Sequence, residues 1–188
     1  MKRKIVKNTK RNILDVARNL FAEYTYLCVS MNDIANKLNI TKPALYYYFK
    51  DKKELYKEIL GRVFKELETE IFKAVNQVKD PKAKLYQLIV SYLKYGQKEK
   101  FLVKSLFLRF TKIDTSLKNE IVKFWNNLNF SLQKIFEEIF SNKQDIKAIT
   151  SLFISIMNGL LLEQSLNDKF NFEEITKKVA TILEAEMK

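Results

Sequence analysis

The chain has 188 residues, and its 47% hydrophobic content with only three Gly and two Pro favours helices over strands. It contains no His and one Cys, which excludes disulfides within a chain, the common zinc sites and catalysis that depends on His. The net charge is +12, and residues 1–57 carry 13 Lys or Arg against 5 Asp or Glu, which indicates a polyanionic partner.

The sequence predicts a soluble, cytoplasmic protein with no membrane partner. Residues 1–10 are basic, but no apolar stretch follows them, as it would in a secretory signal peptide. No window approaches the roughly 18 uncharged apolar residues that a membrane span needs. We also expect no metal and no cofactor, because the sequence shows neither a metal-ligand cluster nor a phosphate-binding Gly loop.

The first predicted helix runs from a cap at Asn8 or Thr9 to about Tyr24. Its apolar residues recur at the spacing of one buried helix face. They are Ile13, Leu14, Ala17, Leu20 and Phe21. The segment from Thr25 to Val29 breaks this pattern, so we expect the helix to end there.

Two short helices follow, and capping residues mark their boundaries. Ser30 with Asp33 three residues later resembles a capping box, which opens a helix from Met31 to Leu38. Asn39 ends this helix, because Asn tolerates the left-handed conformation of a tight turn. Thr41 then caps a third helix. Two helices of about two turns joined by a short turn predict a helix-turn-helix.

In a helix-turn-helix the second helix lies in the DNA major groove, with its N-terminal residues nearest the base edges. Here Lys42 can reach a guanine edge or a phosphate, and Pro43 and Ala44 can meet thymine methyl groups. The hydroxyls of Tyr46 and Tyr47 suit phosphates or bases. The alternatives are packing of the aromatic side chains onto neighbouring helices and plain solvation of the charged ones.

The segment LYYYFKDKKEL at residues 45–55, with Asp-Ile-Ala at residues 33–35, closely resembles the TetR family of bacterial repressors. The resemblance covers roughly residues 11–57. Two positions depart from the family pattern. Thr25 lies near the position where the family usually has Gly, and Val29 lies where Thr is common in the family. By resemblance, the DNA-contacting positions are Ser30, Thr41, Lys42, Pro43, Ala44, Tyr46, Tyr47 and Lys52.

The rest of the chain has helical patterns too, which gives an all-α fold of about nine helices. A helix from Asp51 to about Val78 has apolar residues at four-residue steps, and Asp80-Pro81 marks its end. Further helices are predicted at about 82–97, 100–111, 115–141, 144–167 and 172–187. We predict a three-helix DNA-binding domain over residues 1–52. By resemblance, residues 53–188 form a helical ligand-sensing and dimerisation domain.

The middle of the chain is rich in aromatic residues. An apolar cavity between helices is the kind of site that holds a flat or greasy ligand, and the TetR resemblance implies one in this region. Ordinary helix–helix packing is the alternative for each aromatic residue. The candidate ligand-binding residues are Tyr92, Phe107, Phe110, Phe124, Trp125 and Asn158.

The last two predicted helices carry apolar stripes that suit a dimer interface. The apolar residues recur every three or four positions, and a Gly inside the first of these helices permits close approach of another helix. Two copies of the pair would form a four-helix bundle, as in the family; the alternative is that both helices pack within one chain. The candidate interface residues are Ile149, Phe153, Ile156, Gly159, Leu160, Ile175, Val179 and Ile182.

Together these features predict a ligand-responsive TetR-type transcriptional repressor and not an enzyme. We expect it to bind palindromic double-stranded operator DNA as a homodimer and to be released by a small apolar or aromatic effector. The first alternative is a sequence-tolerant nucleic-acid-binding protein without effector control. The others are an all-helical enzyme, which the absence of His and of clustered carboxylates opposes, and a membrane-surface protein.

Overall fold

The computed structural model describes residues 2–101, 103, 114–167 and 170–185, with the backbone alone for residues 2–8. This part of the chain forms eight α helices and no strand, which confirms the predicted all-α fold. The helices are α1 (Lys2–Cys28), α2 (Met31–Lys37), α3 (Lys42–Tyr48), α4 (Lys52–Val75), α5 (Pro81–Lys98), α6 (Thr115–Ile139), α7 (Ile146–Leu166) and α8 (Phe172–Glu184). The helix predicted over about 100–111 lies mostly outside the described residues.

Side-chain caps determine where several helices begin. Ser30, Thr41 and Asp80 each accept a hydrogen bond from the backbone N–H three residues later, at the starts of α2, α3 and α5. Asn171 does the same at the start of α8. Such a cap satisfies one of the N–H groups that the first turn of a helix leaves without a helical partner. The helix starts predicted at Ser30 and Thr41 are therefore confirmed.

The helices group into two compact units, and the first comprises residues 1–63 and 100–122. The predicted buried face of α1 forms part of its core. Its fully buried members are Ile13, Leu14, Ala17 and Phe21. The helix begins at Lys2, earlier than predicted, but its non-helical kink at Thr25 lies where the sequence predicts the break, and a further helical segment continues to Cys28.

The long helix α4 contributes its first half to the first unit and its second half to the second unit. Its buried residues recur every four positions, as the sequence predicts, and each is at most 1% exposed. They are Leu55, Ile59, Val63, Leu67, Ile71 and Val75. At about 1.5 Å per residue the helix spans on the order of 36 Å with one continuous buried face.

The second unit comprises residues 64–99 and 123–188. Within it, α5 packs against both α7 and α8. The ring of Tyr92 on α5 lies edge-on to Phe153 of α7, with ring centres 5.9 Å apart, and Phe136 of α6 packs on the same Phe153 ring at 5.2 Å. An aromatic core of side chains distant in sequence therefore holds this unit together.

A glycine allows α5 and α7 to approach closely in this unit. A Cβ at Gly96 would lie 2.6 Å from Leu161 Cδ1, closer than real Cβ contacts allow. Leu161 is itself only 1% exposed, so its side chain is enclosed within the unit. Close contact between the two helices therefore depends on the missing side chain at this position.

By length and composition alone, α7 could cross a membrane, with a mean hydropathy of 1.4. The segment is not free of charge, since Lys147 and Glu163 lie near its ends, and a single helix of this kind is also typical of soluble proteins. Phe153 and Met157 on its inner face are fully buried, yet only 28% of the apolar stretch is buried. One protomer thus leaves much of the apolar surface of α7 uncovered.

Candidate nucleic-acid interface and sensor surfaces

The segment from α2 to α3 has the geometry of a helix-turn-helix. The Ile40 N–H donates to the Ala35 carbonyl oxygen at 3.1 Å, which closes the turn. Asn39 adopts φ 53°, the left-handed conformation predicted for it. Ile34, Ala35 and Leu45 are at most 1% exposed, so the two helices close on a shared core.

Two predicted DNA contacts, Ser30 and Thr41, serve as helix caps. The Asp33 N–H donates to Ser30 Oγ at 3.1 Å, and the Ser30 N–H donates to Asp33 Oδ2 at 2.8 Å. The Ser30 hydroxyl also donates to Asp33 Oδ2 at 2.7 Å; this bond first, and the backbone bond second, lower the pKa of Asp33. Thr41 Oγ1 accepts from the Ala44 N–H at 3.3 Å. Both hydroxyls therefore take part in the fold of the helix-turn-helix itself.

The other predicted contacts of α3 lie together on one side of the helix, called here the α3 outer face. They are Lys42, Pro43, Ala44, Tyr46 and Tyr47. Tyr47 is 80% exposed and Tyr46 is 42% exposed, while Ala44 is half-buried. On the opposite side, Leu45 and Phe49 are at most 1% exposed. The inner side anchors the helix, and the α3 outer face is accessible to a partner.

Lys52 bonds to the end of α1 and to the residue that follows it, and does not belong to the α3 outer face. Its Nζ donates to the carbonyl oxygens of Tyr26 and Val29, both at 2.8 Å, and lies 4.4 Å from the centre of the Tyr26 ring. Burial lowers the pKa of this amine. The sequence predicted a phosphate contact here; the structure uses two of the three N–H donors of Lys52 to hold these two carbonyls.

Further basic side chains of the first unit are paired with carboxylates. The pairs are Lys10–Glu58 at 2.7 Å, Lys53–Asp114 at 3.5 Å and Lys57–Glu120 at 2.7 Å. Partly exposed pairs of this kind contribute about 0–1 kcal/mol each to stability. Part of the N-terminal positive charge is therefore neutralised within the first unit.

The first unit also contains an aromatic cluster that the sequence reasoning missed. Tyr56 packs edge-on against Phe21 and Tyr26, with ring centres 5.0 and 4.8 Å away, and Phe101 lies 5.0 Å from Tyr56. Burial raises the pKa of Tyr56. The cluster joins α1, α4 and the residue Phe101 from distant parts of the chain, so no local pattern could have revealed it.

The candidate ligand-binding residues fall into two groups within the second unit. The Tyr92 hydroxyl donates to Asn158 Oδ1 at 2.9 Å. Phe124 stacks on Phe64 with ring centres 5.7 Å apart, and Trp125 packs edge-on to the same Phe64 ring at 4.8 Å. Each group thus combines residues of different helices, as both ordinary packing and a ligand site would require.

A cleft of about 550 Å³ also opens between α4 and α5. Most of its lining is polar or charged: Glu66, Glu70, Ala74, Gln87, Val90, Ser91, Lys94, Tyr95 and Lys98. The cleft contains none of the predicted ligand-binding residues, so it is not the apolar site expected from the sequence.

Two of the predicted ligand-binding residues, Phe107 and Phe110, lie outside the described residues. Among the described residues, no group of three or more His, Cys, Asp or Glu could hold a metal ion.

The predicted dimer-interface residues divide between the core and the surface. Phe153 is fully buried and Val179 is only 8% exposed, which corrects their assignment, because both pack inside their own protomer. Ile182 is 57% exposed, and no atom lies within 4 Å of the place where a Cβ on Gly159 would stand. The remaining residues are half-buried: Ile149, Ile156, Leu160 and Ile175.

Two exposed leucines on α7 were not singled out from the sequence. Leu152 is 55% exposed and Leu166 is 79% exposed. Each lies seven residues from Gly159, and seven residues are about two helical turns, so the three positions share one side of α7. These three positions, called here the α7 stripe, alternate along α7 with the exposed Ser155 and Glu163.

The comparisons with known proteins agree with this geometry. The family model of bacterial regulatory proteins of the tetR family matches residues 13–59, which contain α2, α3 and the start of α4. The chain is 26% identical over 174 residues to the biofilm operon icaADBC HTH-type negative transcriptional regulator IcaR of Staphylococcus aureus (strain Newman). This alignment covers 89% of this chain and 90% of IcaR.

Solved structures show the same fold. The TetR family transcriptional regulator PfmR from Thermus thermophilus matches with a TM-score of 0.73 and 22% identity, over 94% of this chain and 98% of that one. The transcriptional regulator FadR from Bacillus subtilis, in complex with stearoyl-CoA, matches with a TM-score of 0.80 and 17% identity, over 92% of this chain and 96% of that one. The helix-turn-helix region thus matches the tetR family of bacterial regulatory proteins, and the whole chain shares its fold with regulators of that family.

Proposed function

We propose that the protein is a ligand-responsive transcriptional repressor that binds palindromic operator DNA as a homodimer. The observation that carries this proposal is the α3 outer face, which stands exposed on a capped helix whose inner side is buried. Such a helix can enter the major groove without any loss of its own packing. The similarity to IcaR, a negative regulator, supports repression.

A homodimer supplies the second recognition helix that a two-fold operator requires. Two copies of α3 would occupy half-sites separated by one turn of DNA, about 34–36 Å. The α7 stripe supports this assembly, because Leu152 and Leu166 are exposed and Gly159 leaves open space for another helix. Contact with a second copy would cover the apolar surface that one protomer leaves uncovered.

The proposed effector is a small apolar or aromatic molecule that binds in the second unit. Aromatic rings around Phe64, together with the Tyr92–Asn158 hydrogen bond, offer apolar walls and a few polar groups, as ligand sites do. The stearoyl-CoA bound to FadR, which has the same fold, contains a long apolar acyl chain and supports a ligand with a substantial apolar part. Because α4 has residues in both units, a shift of α4 on effector binding would reach the helix-turn-helix.

Selection of binding sites from random double-stranded DNA tests the operator. We expect a two-fold symmetric site that the protein binds at least about 10³-fold more tightly than unrelated DNA. Tyr47→Ala should weaken operator binding about tenfold, as does the loss of one good base-edge contact. Phe130→Ala, which removes a 60% exposed aromatic ring from α6, should leave it unchanged. Equal affinity for all sequences would support the sequence-tolerant alternative.

Analytical ultracentrifugation tests the dimer. Gly159→Leu should produce monomers, because the added side chain fills the space proposed for the partner helix. Asn126→Leu, which adds the same side chain at an exposed position on α6, should leave the dimer intact. Intact dimers of the Gly159→Leu variant would show that the interface lies elsewhere on the protein.

A vesicle-binding assay tests the membrane-surface alternative. Binding to anionic vesicles that is not reduced by added operator DNA would support that alternative.

Screening apolar and aromatic compounds for release of a labelled operator tests the effector. We expect at least one compound class to release the DNA, and Phe124→Ala to change its potency. Operator binding that no such compound alters would oppose effector control through this part of the second unit.

A further inference from the structure

We infer that the operator half-site is read mainly through thymine methyl groups. This inference rests on the proposed function, and it identifies the chemistry by which the α3 outer face recognises a base sequence. It follows from the side chains that α3 has, from those it lacks and from the groups already engaged inside the protein.

The first step concerns the side chains that α3 lacks. No residue from Thr41 to Phe49 is Arg, Asn, Gln, Asp or Glu. These are the side chains that form specific hydrogen bonds with guanine, adenine and cytosine edges in the major groove. Lys42 is the one charged residue of α3, so a single ammonium group is left for a guanine or a phosphate.

The second step concerns the surface that α3 presents. The Pro43 ring, the Ala44 methyl group and the rings of Tyr46 and Tyr47 make the α3 outer face largely apolar. The Tyr47 ring lies edge-on to Tyr48, with ring centres 5.2 Å apart and an interplanar angle of 89°, which limits its orientation. In the major groove, the apolar group that distinguishes a base pair is the 5-methyl group of thymine.

The third step concerns nearby polar groups. The hydroxyl of Thr41 accepts from a backbone N–H in its helix cap, and the hydroxyl of Ser30 donates to Asp33. The Lys52 ammonium donates to backbone carbonyls at the end of α1 and just after it. These groups are partly engaged in the fold, which leaves the Lys42 ammonium and the Tyr46 and Tyr47 hydroxyls as the main polar groups of the α3 outer face. Because the apolar part of that face is larger, we expect apolar contact to be the main source of base discrimination.

Replacement of thymine by deoxyuridine in the selected operator tests the inference. Deoxyuridine pairs with adenine and keeps the O4 acceptor, so only the methyl group is lost. We expect single replacements within a half-site to weaken binding about fourfold at each contacted thymine, the value of one buried methyl group. Replacement of guanine by 7-deazaguanine, which removes N7, should have an effect at no more than the position that Lys42 contacts.

Variants of Tyr47 identify the protein side of the contact. In Tyr47→Ala, one thymine should become insensitive to deoxyuridine replacement, because its apolar partner is gone. Tyr47→Phe should keep the sensitivity, since it retains the ring and loses only the hydroxyl. Phe130→Ala, on the exposed surface of α6, should behave as wild type at every position.

The outcomes separate this inference from the proposed function. If deoxyuridine at every half-site thymine leaves the operator bound as tightly as before, methyl reading is wrong and sequence-specific repression still stands. If 7-deazaguanine abolishes binding while deoxyuridine does nothing, Lys42 reads the site and the inference is again wrong. If no duplex is preferred over any other, the proposed function itself fails, and the inference with it.

Discussion

The helix-turn-helix and the core of the second unit are stabilised by different kinds of contact. The bonds that cap α2 join residues three positions apart, Ser30 and Asp33. In the second unit, Tyr92 bonds to Asn158, 66 positions away, and its ring packs on Phe153. One region obtains its shape from neighbours in sequence, and the other obtains it from contacts between distant helices.

This difference has energetic consequences. Loss of a helix cap costs about 0.5–2 kcal/mol, whereas truncation of a buried aromatic side chain costs about 3–5 kcal/mol. Because a lost cap costs little, the recognition segment tolerates single changes in its caps. Because its contacts are local, it can also be predicted residue by residue. The second unit is harder to predict, and single changes in its core have larger effects.

The largest expected effect would come from Phe153→Ala, which removes a fully buried ring from between Tyr92 and Phe136. The free energy of unfolding should fall by about 3–5 kcal/mol, measured by urea denaturation at one fixed protein concentration. Phe130→Ala makes the same substitution at a 60% exposed position and should change the free energy of unfolding by less than about 0.5 kcal/mol. Equal losses in the two variants would contradict the burial of Phe153.

Overpacking at Gly96 should come next. Gly96→Ala places a Cβ 2.6 Å from Cδ1 of the buried Leu161, and should lower the free energy of unfolding by about 1–3 kcal/mol. The double variant Gly96→Ala with Leu161→Ala should lose less than the sum of the two single variants, because the smaller side chain makes room. Additive losses in a thermodynamic cycle would show that the two helices do not meet there.

A smaller effect is expected in the helix-turn-helix. Ser30→Ala removes the hydroxyl that caps α2 and should lower the free energy of unfolding by about 1 kcal/mol. Ser165→Ala serves as the control: its hydroxyl bonds to the Leu162 carbonyl near the end of α7 and caps no N–H group, so little change is expected. Urea denaturation of both variants provides the measurement, and a larger loss in the control would overturn the comparison.

The smallest effect is expected at Gly159, where a Cβ meets open space within the protomer. Gly159→Ala should raise the free energy of unfolding by up to about 1 kcal/mol, because Ala is the better helix former. Thermal unfolding at a protein concentration where sedimentation detects only monomers gives the value for a single chain. A loss at that position would mean that another part of the chain covers it.

Most of the recognition segment could be predicted from the sequence because its chemistry is local. Ser30 with Asp33 predicted a capping box, and Asn39 predicted a left-handed turn; both are present. The four-residue spacing of apolar positions in α4 was sufficient to identify its buried face. In each case the residue type and its near neighbours carried the information.

Two other features could not be predicted, because their partners come from elsewhere in the chain. The sequence shows the charge of Lys52 but not the carbonyls of Tyr26 and Val29 that hold it. Along α7, apolar residues lie on two sides, and periodicity alone cannot tell which side is internal. Phe153 was therefore assigned to the surface and the exposed Leu166 was overlooked.

The conformation of Thr25 shows what the Lys52 ammonium achieves. Thr25 has φ 70° and ψ 162°, a torsional state that suits glycine and costs other residues about 1–3 kcal/mol. The Lys52 ammonium donates to the carbonyls of Tyr26 and Val29, one and four residues after Thr25. Neutralising this one amine, for example by acetylation, would release the strained junction between α1 and α2. The backbone just before the helix-turn-helix is thus bonded to the amine of a side chain that follows it in sequence.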